Sequence, residues 1–142
     1  MNMKGQVALV SGAGSEQGIG MAIARRLGQA GARVLVTASS ARIEQRAAEL
    51  RQEGIEARAW VADLTDEQQV AELAAWAEAQ WGRVDILVNN AGMAMQGSPE
   101  PFAELAQMDL VTWQLSLTRN LTTAFLLTRG YCAGRATPPD YA

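Results

Sequence analysis

The chain has no histidine, one cysteine (Cys132) and one lysine (Lys4) among its 142 residues. Each shortage removes some chemistry. Without His there is no Ser-His-Asp triad, no imidazole base and no His metal ligand. One Cys allows neither an intrachain disulfide nor a thiolate metal cluster, and it suits a reducing compartment. No metal site is expected. With Lys4 as the only lysine, no mechanism can draw a lysine from the C-terminal half of these residues. No apolar run approaches the ~18 residues of a spanning helix. Met-Asn-Met-Lys-Gly leads straight into an apolar strand pattern, without a signal-peptide layout. A soluble, cytoplasmic chain with no membrane partner is expected. The formal net charge is -3, from 12 basic and 15 acidic residues. The arginines are scattered among Glu and Asp as on solvated helix faces, so no nucleic-acid partner is expected.

What is present fits one domain. The chain is 49% apolar and 19% charged, enough for a packed core. Gln6 to Val10 (QVALV) is a short apolar strand, closed by a Gly-rich turn from Ser11 to Gly20. From Gly18 a helix is expected, with Ile19, Ile23 and Leu27 as its apolar stripe and Gly31 as its C-cap. Val34 to Thr37 reads as a second strand. Arg42 to Arg51 reads as a second helix, with Ile43, Ala47 and Leu50 inward. Glu56 to Val61 alternates as a third strand. Thr65 with Gln68 reads as a capping box opening a third helix, whose stripe is Val70, Leu73, Ala74, Ala77 and Trp81. Val84 to Val88 (VDILV) is a fourth strand, followed by Asn89-Asn90-Ala91-Gly92. A loop containing Gly97 and Pro101 precedes a longer helix, about Asp109 to Arg129. The alternating order predicts an α/β fold, a doubly wound parallel sheet with helices on both faces.

The glycine turn, Ser11-Gly12-Ala13-Gly14-Ser15-Glu16-Gln17-Gly18-Ile19-Gly20, follows a strand and opens a helix. In that context glycines let the backbone approach a pyrophosphate, which the N–H groups and dipole of the helix stabilise. The segment VSGAGSEQGIG, then Asp63-Leu64, then VDILVNNAG, then a helix carrying Asn120, resembles the short-chain dehydrogenase/reductase family. The likeness covers the chain up to about Arg129 and is closest to the ketoacyl-carrier-protein reductases. The family's opening signature is Thr-Gly-x-x-x-Gly-x-Gly. Here Ser11 replaces the Thr, and five residues rather than three separate Gly12 from Gly18.

The resemblance implies a Rossmann fold cut short after about four strands, with residues 1–129 as the nucleotide-binding domain. It implies that Gly12, Ser15, Gln17, Gly18, Ile19 and Gly20 bind the cofactor's phosphates. Asn89 would hold the central sheet, and Asn90, Ala91 and Gly92 would line the cofactor. Asp63 and Leu64 would sit at the adenine; the other reading of Asp63 is loop chemistry ahead of Thr65. After the second strand no acid appears before Glu44, while Ser39 and Arg42 offer a hydroxyl and a guanidinium suited to a 2′-phosphate. The same residues could simply cap the second helix. NADP is therefore expected over NAD.

By the same resemblance the activity is oxidoreductase chemistry, a hydride moving between nicotinamide and a small carbonyl or alcohol substrate. Asn120 matches the family's relay asparagine, on a face with Leu117, Leu121 and Ala124; a locally satisfied Asn is the other reading. The family's Ser and its Tyr-x-x-x-Lys are not found. Tyr131 has Arg135 at +4, but Arg cannot replace the Lys, and Tyr141 is rejected as well. Gly130 to Ala142 reads as an irregular tail, out-of-frame or otherwise truncated. The expectation is an inactive N-terminal part of a longer, homo-oligomeric enzyme. The alternatives are a non-catalytic nucleotide-binding module and a non-functional fragment.

Overall fold

The computed structural model describes residues 1–92 and 104–132. Four strands form one parallel sheet: β1 (Val7–Ser11), β2 (Arg33–Ala38), β3 (Ala57–Val61) and β4 (Ile86–Val88), in the order β3-β2-β1-β4. Three helices link them: α1 (Ile19–Gln29), α2 (Arg42–Gln52) and α3 (Glu67–Trp81). After β4 come α4 (Leu110–Leu117), a π turn (Thr118–Thr122) and α5 (Thr123–Cys132). Gly130 to Cys132 are therefore helical. The loop around Gly97 and Pro101, Arg135, Tyr141 and the rest of the tail lie outside the described residues.

The sheet is covered on both faces, as its sequence requires. β1 is buried along its whole length, and its residues divide between two cores. Leu9 and Leu35 pack with Val70, Leu73 and Ala77 of α3 and with Leu126 and Leu127 of α5. Val10, Val34 and Val36 pack with Met21 and Ala24 of α1 and with Ile43, Ala47 and Leu50 of α2. A strand buried on both sides reads as a continuous apolar run, and VALV does so. Register is in step from Val7 opposite Arg33 to Ser11 opposite Thr37, and from Ala8 opposite Ile86 to Val10 opposite Val88. β4 is shorter than the expected Val84 to Val88. The Asp85 side chain takes over before it begins: Val7 N donates to Asp85 Oδ2 at 2.9 Å, and Asp85 N donates to Val7 O at 2.8 Å.

Three local expectations need correction. The first concerns α1, whose expected stripe began at Ile19. That residue is 74% exposed, and Ile23 and Leu27 only flank the core. The buried residues of the helix are instead Gly20, Met21 and Ala24, and Gly28 faces Ile55. A Cβ on Gly28 would come within 2.4 Å of Ile55 Cγ2, so the helix seats closely there because Gly28 is small. Gly31 does end the helix, at φ +100°; Gly31 N donates to Gly28 O and Ala32 N to Leu27 O.

The second concerns α3. Its N-cap is Asp66, not Thr65: Asp66 Oδ1 accepts from Gln68 N at 2.9 Å and Gln69 N at 3.2 Å. A carboxylate outcompetes a hydroxyl for those N–H groups. Thr65 instead donates its hydroxyl to Asp63 Oδ1 at 2.7 Å.

The third concerns the helix of Asn120. The π turn shifts its phase, so the face predicted through Leu117, Leu121 and Ala124 is not the inner one. Leu121 is 62% exposed, whereas Thr123, Leu126 and Leu127 are buried.

Candidate functional site

The chain leaves β1 toward β2 on one side, while β4 lies on the other. The strand order reverses there, and the crevice opens at the carboxyl ends of β1 and β4. In open α/β sheets this is where ligands bind. The residues at this point hold one another through a compact polar network.

Its hub is Ser11, the last residue of β1, which is buried. Its Oγ donates to Val88 O at 3.2 Å and accepts from Asn90 N at 3.1 Å and Ala91 N at 3.0 Å. The Asn90 side chain returns the tie: Nδ2 donates to Ser11 O and Gly12 O, both at 3.1 Å. The Gly-rich loop and the Asn-Asn-Ala-Gly turn are thus one unit. Sequence reading noted Ser11 only as a substitute for Thr and missed its role; the signal was a hydroxyl at a strand end directly before the first Gly.

The glycines have steric reasons. Gly12 has φ +69°, and a Cβ there would lie 2.7 Å from Ala91 Cα. A Cβ on Gly20 would lie 2.5 Å from Asn90 Nδ2 and 2.7 Å from Gly12 O. Asn90 therefore reaches the loop only because Gly20 leaves room for it. Gly18 is the N-cap of α1, with no side-chain cap bond and no acid in the first turn. By contrast, Asp66 caps α3 and Asp109 caps α4 through their carboxylates. The first N–H groups of α1 thus keep their positive character for an anion.

The other predicted residues are distributed as follows. Ser15, Gln17 and Ile19 are exposed along the loop mouth, and Ser15 O accepts from Gly18 N at 3.1 Å. Ala13 N donates to Thr37 O at 3.3 Å, so the loop runs along the end of β2. Ser39, just beyond β2, is exposed, as is Arg42, the first residue of α2. Asp63 is also exposed. Its Oδ1 accepts from Thr65 N and Thr65 Oγ1, and these bonds hold its carboxyl below the usual Asp range. Leu64 is buried in the core with Val70 and Leu73. Asn89, beyond β4, donates from Nδ2 to Thr128 Oγ1 at 3.0 Å and ties the strand end to α5.

Asn120 sits inside the π turn, where its Nδ2 donates to Ser116 O at 3.0 Å. Its Oδ1 is 3.0 Å from where a Cβ on Gly92 would stand. The wide turn, an arrangement frequent at functional sites, thus brings Asn120 to the end of the Asn-Asn-Ala-Gly segment. Gly12, Gly20, Asn90 and Ala91 meet in one cluster, and Gly92 with Asn120 forms its second edge. Among the described residues no group of three or more His, Cys, Asp and Glu is placed to hold a metal ion. No described helix is long and apolar enough to cross a membrane.

A family model described as short chain dehydrogenase matches residues 6–133. A Streptomyces violaceoruber protein named for a ketoacyl reductase of the granaticin polyketide synthase is 43% identical over 124 residues, covering 87% of this chain and 43% of its own length. The structure of an F189W actinorhodin polyketide ketoreductase with NADPH matches with a TM-score of 0.77 at 37% identity, over 89% of this chain and 46% of that one. A metagenomic short-chain oxidoreductase in complex with NADP gives 0.77 at 38% identity, over 92% of this chain and 57% of that one. The chain spans about half the length of the proteins it matches.

Proposed function

The chain belongs to the short chain dehydrogenase family, and from that premise we propose that it forms the nucleotide-binding part of an NADP-preferring oxidoreductase acting on a small carbonyl or alcohol substrate. The observation that carries this reading is the cluster of Gly12, Gly20 and Asn90 beneath the uncapped start of α1. It leaves a cluster of N–H donors at the switch point of the sheet, and a pyrophosphate fits that donor set. The nicotinamide supplies the hydride chemistry when bound.

The protein's own residues do the rest. Gly12, Ser15, Gln17, Gly18, Ile19 and Gly20 hold the phosphates along the loop mouth. Ser39 and Arg42 take the 2′-phosphate, Arg42 through its fork of donors. Asp63 and Leu64 would sit at the adenine, with the carboxylate available to its amino group. Asn90, Ala91 and Gly92 line the path toward the reacting end. Asn120, beside Gly92, would hold a water for proton relay there. A ketoacyl reductase is among the relatives, and two of the similar structures hold NADPH or NADP. The only lysine, Lys4, precedes every tyrosine, so no Tyr-x-x-x-Lys proton donor lies in these residues. The 142-residue chain is therefore expected to bind the dinucleotide without turning over a ketone, within a larger enzyme in the cytoplasm.

Titration of NADPH with the purified chain tests the reading. Saturable enhancement of nicotinamide fluorescence, competed away by NADP, is the expected result. A flat titration with both NADPH and NADH would sink it.

A further inference from the structure

The loop between Gly12 and Gly18 carries two residues more than the family signature, and Glu16 brings a carboxylate to it. Glu16 lies at its middle, with a side chain 70% exposed. The loop runs along the end of β2: Ala13 N donates to Thr37 O, and a Cβ on Gly14 would stand 3.1 Å from Ala38 Cβ. From there Glu16 Oε2 comes to 3.7 Å from Arg46 Nη1 on α2, the helix that Arg42 opens.

Arg46 is an unusual residue for its place. It lies on the packed face of α2 with Ile43, Ala47 and Leu50, and it is only 7% exposed. Arginine is seldom buried so deeply unless its charge is matched. Nη2 is matched by Glu49 Oε1 at 2.6 Å, while Nε is buried with no hydrogen-bond partner among the described residues. The looser contact, to Glu16, crosses from helix to loop and joins residues thirty apart in sequence.

An acid near the end of the second strand is what favours a ribose 2′-hydroxyl and repels a 2′-phosphate. β2 and the turn after it carry none, but the fold delivers one from the loop. We propose that Glu16 and Arg46 form a charge pair that sets the preference between the phosphorylated and unphosphorylated dinucleotide, with Arg46 as the specificity-determining residue that offsets the charge of Glu16. This rests on the dinucleotide reading of the same loop. With Arg46 in place, shared between Glu49 and Glu16, the charge of Glu16 is partly offset and the 2′-phosphate is admitted. Without it, the negative charge of Glu16 is felt more strongly along the end of β2, with Arg25 left as the other cation near it. The pair acts through charge, so its effect discriminates between cofactors; a loop support of purely steric kind would not.

The test is binding of NADPH and NADH, by nicotinamide fluorescence, to the full 142-residue chain and its variants. Arg46→Met keeps the apolar stem and removes the charge. It is expected to raise the Kd for NADPH about tenfold and that for NADH less than about threefold. Adding Glu16→Gln to that variant is expected to bring the NADPH Kd back to within about threefold of the unchanged protein. The discrimination is expected to shrink as salt is raised, since exposed charges are screened beyond ~10 Å at 0.1 M. Glu16→Gln alone changes an exposed side chain, so it remains informative even if Arg46→Met does not fold. It is expected to tighten NADPH about threefold and leave NADH unchanged. Equal losses for both cofactors in Arg46→Met, no recovery in the double variant, or an unaltered NADPH-to-NADH ratio in Glu16→Gln would each overturn the proposal. Failure of the unchanged chain to bind either dinucleotide is a separate result, against the proposed function itself.

Discussion

Single atoms decide the geometry of the crevice. Asn90 Nδ2 donates to the two consecutive carbonyls of Ser11 and Gly12, and Ser11 Oγ binds three backbone groups of the β4 segment. Both residues are placed so that buried polar groups satisfy one another, which makes the network rigid and intolerant of gaps. Gly20 is the weakest point for substitution. A methyl there would collide with the Asn90 amide and the Gly12 carbonyl at once. Gly20→Ala is expected to lower the unfolding free energy by about 1–3 kcal/mol, the usual cost of overpacking, and to weaken dinucleotide binding as Asn90 is displaced. Urea denaturation and NADPH titration of the same variant measure the two effects. Unchanged stability together with unchanged affinity would show that the loop relaxes freely, against this account.

At the scale of elements, the helix starts divide the labour. α3 and α4 are closed by Asp66 and Asp109, whose carboxylates accept from their own first-turn N–H groups. The bonds from Thr112 hold the Asp109 carboxyl below the usual range. α1 has no such cap, and its open start faces the crevice. Capping is therefore structural at α3 and is left to a ligand at α1. Asp66→Ala is expected to cost about 1 kcal/mol of stability and, because Asp66 N donates to Asp63 O beside the adenine position, to raise the Kd for NADPH by less than about threefold. Denaturant titration and fluorescence binding check both halves, and a roughly tenfold fall in affinity would contradict the separation. The π turn is the second element-scale device. One extra residue in that turn carries Asn120 to Gly92 while α5 continues with Leu126 and Leu127 in the core.

Across the whole molecule, the described sheet ends at β4 on one side and β3 on the other. β4 is only partly buried, unlike β1. The helical stretch beyond it shows Leu110, Val111, Trp113, Leu115, Leu121 and Phe125 to solvent. Apolar side chains exposed in this number, in a fold whose described sheet ends in a partly buried strand, favour association. The 142-residue chain is expected to self-associate, with a light-scattering mass that rises with concentration and a melting temperature that does likewise. A monomer with one sharp melt at every concentration would refute this. Replacing Val111 and Leu121 together with Ser is expected to lower the associated fraction without loss of the folded core, because neither side chain is buried in either cluster.

Sequence alone determined the order of elements, the parallel doubly wound class and the inward residues of α2, because these follow from period and spacing: Ile43, Ala47 and Leu50 recur on one helical face and all are buried. It also carried the family, because Gly12, Gly18, Gly20 and Asn90 to Gly92 stand in short local motifs. It misassigned the α1 face, where close packing selected glycine and alanine over the larger Ile19, and it misassigned the start of α3, where two neighbouring residues competed for the same N–H groups. The π turn left no mark in the apolar pattern, since an inserted residue shifts the phase rather than the composition. Only the tertiary structure brought Ser11 to the Asn90 turn, Asn120 to Gly92 and Glu16 to Arg46. Those meetings join segments twenty-eight or more residues apart, and their distances depend on how closely strand, loop and helix are allowed to pack, which no local spacing encodes.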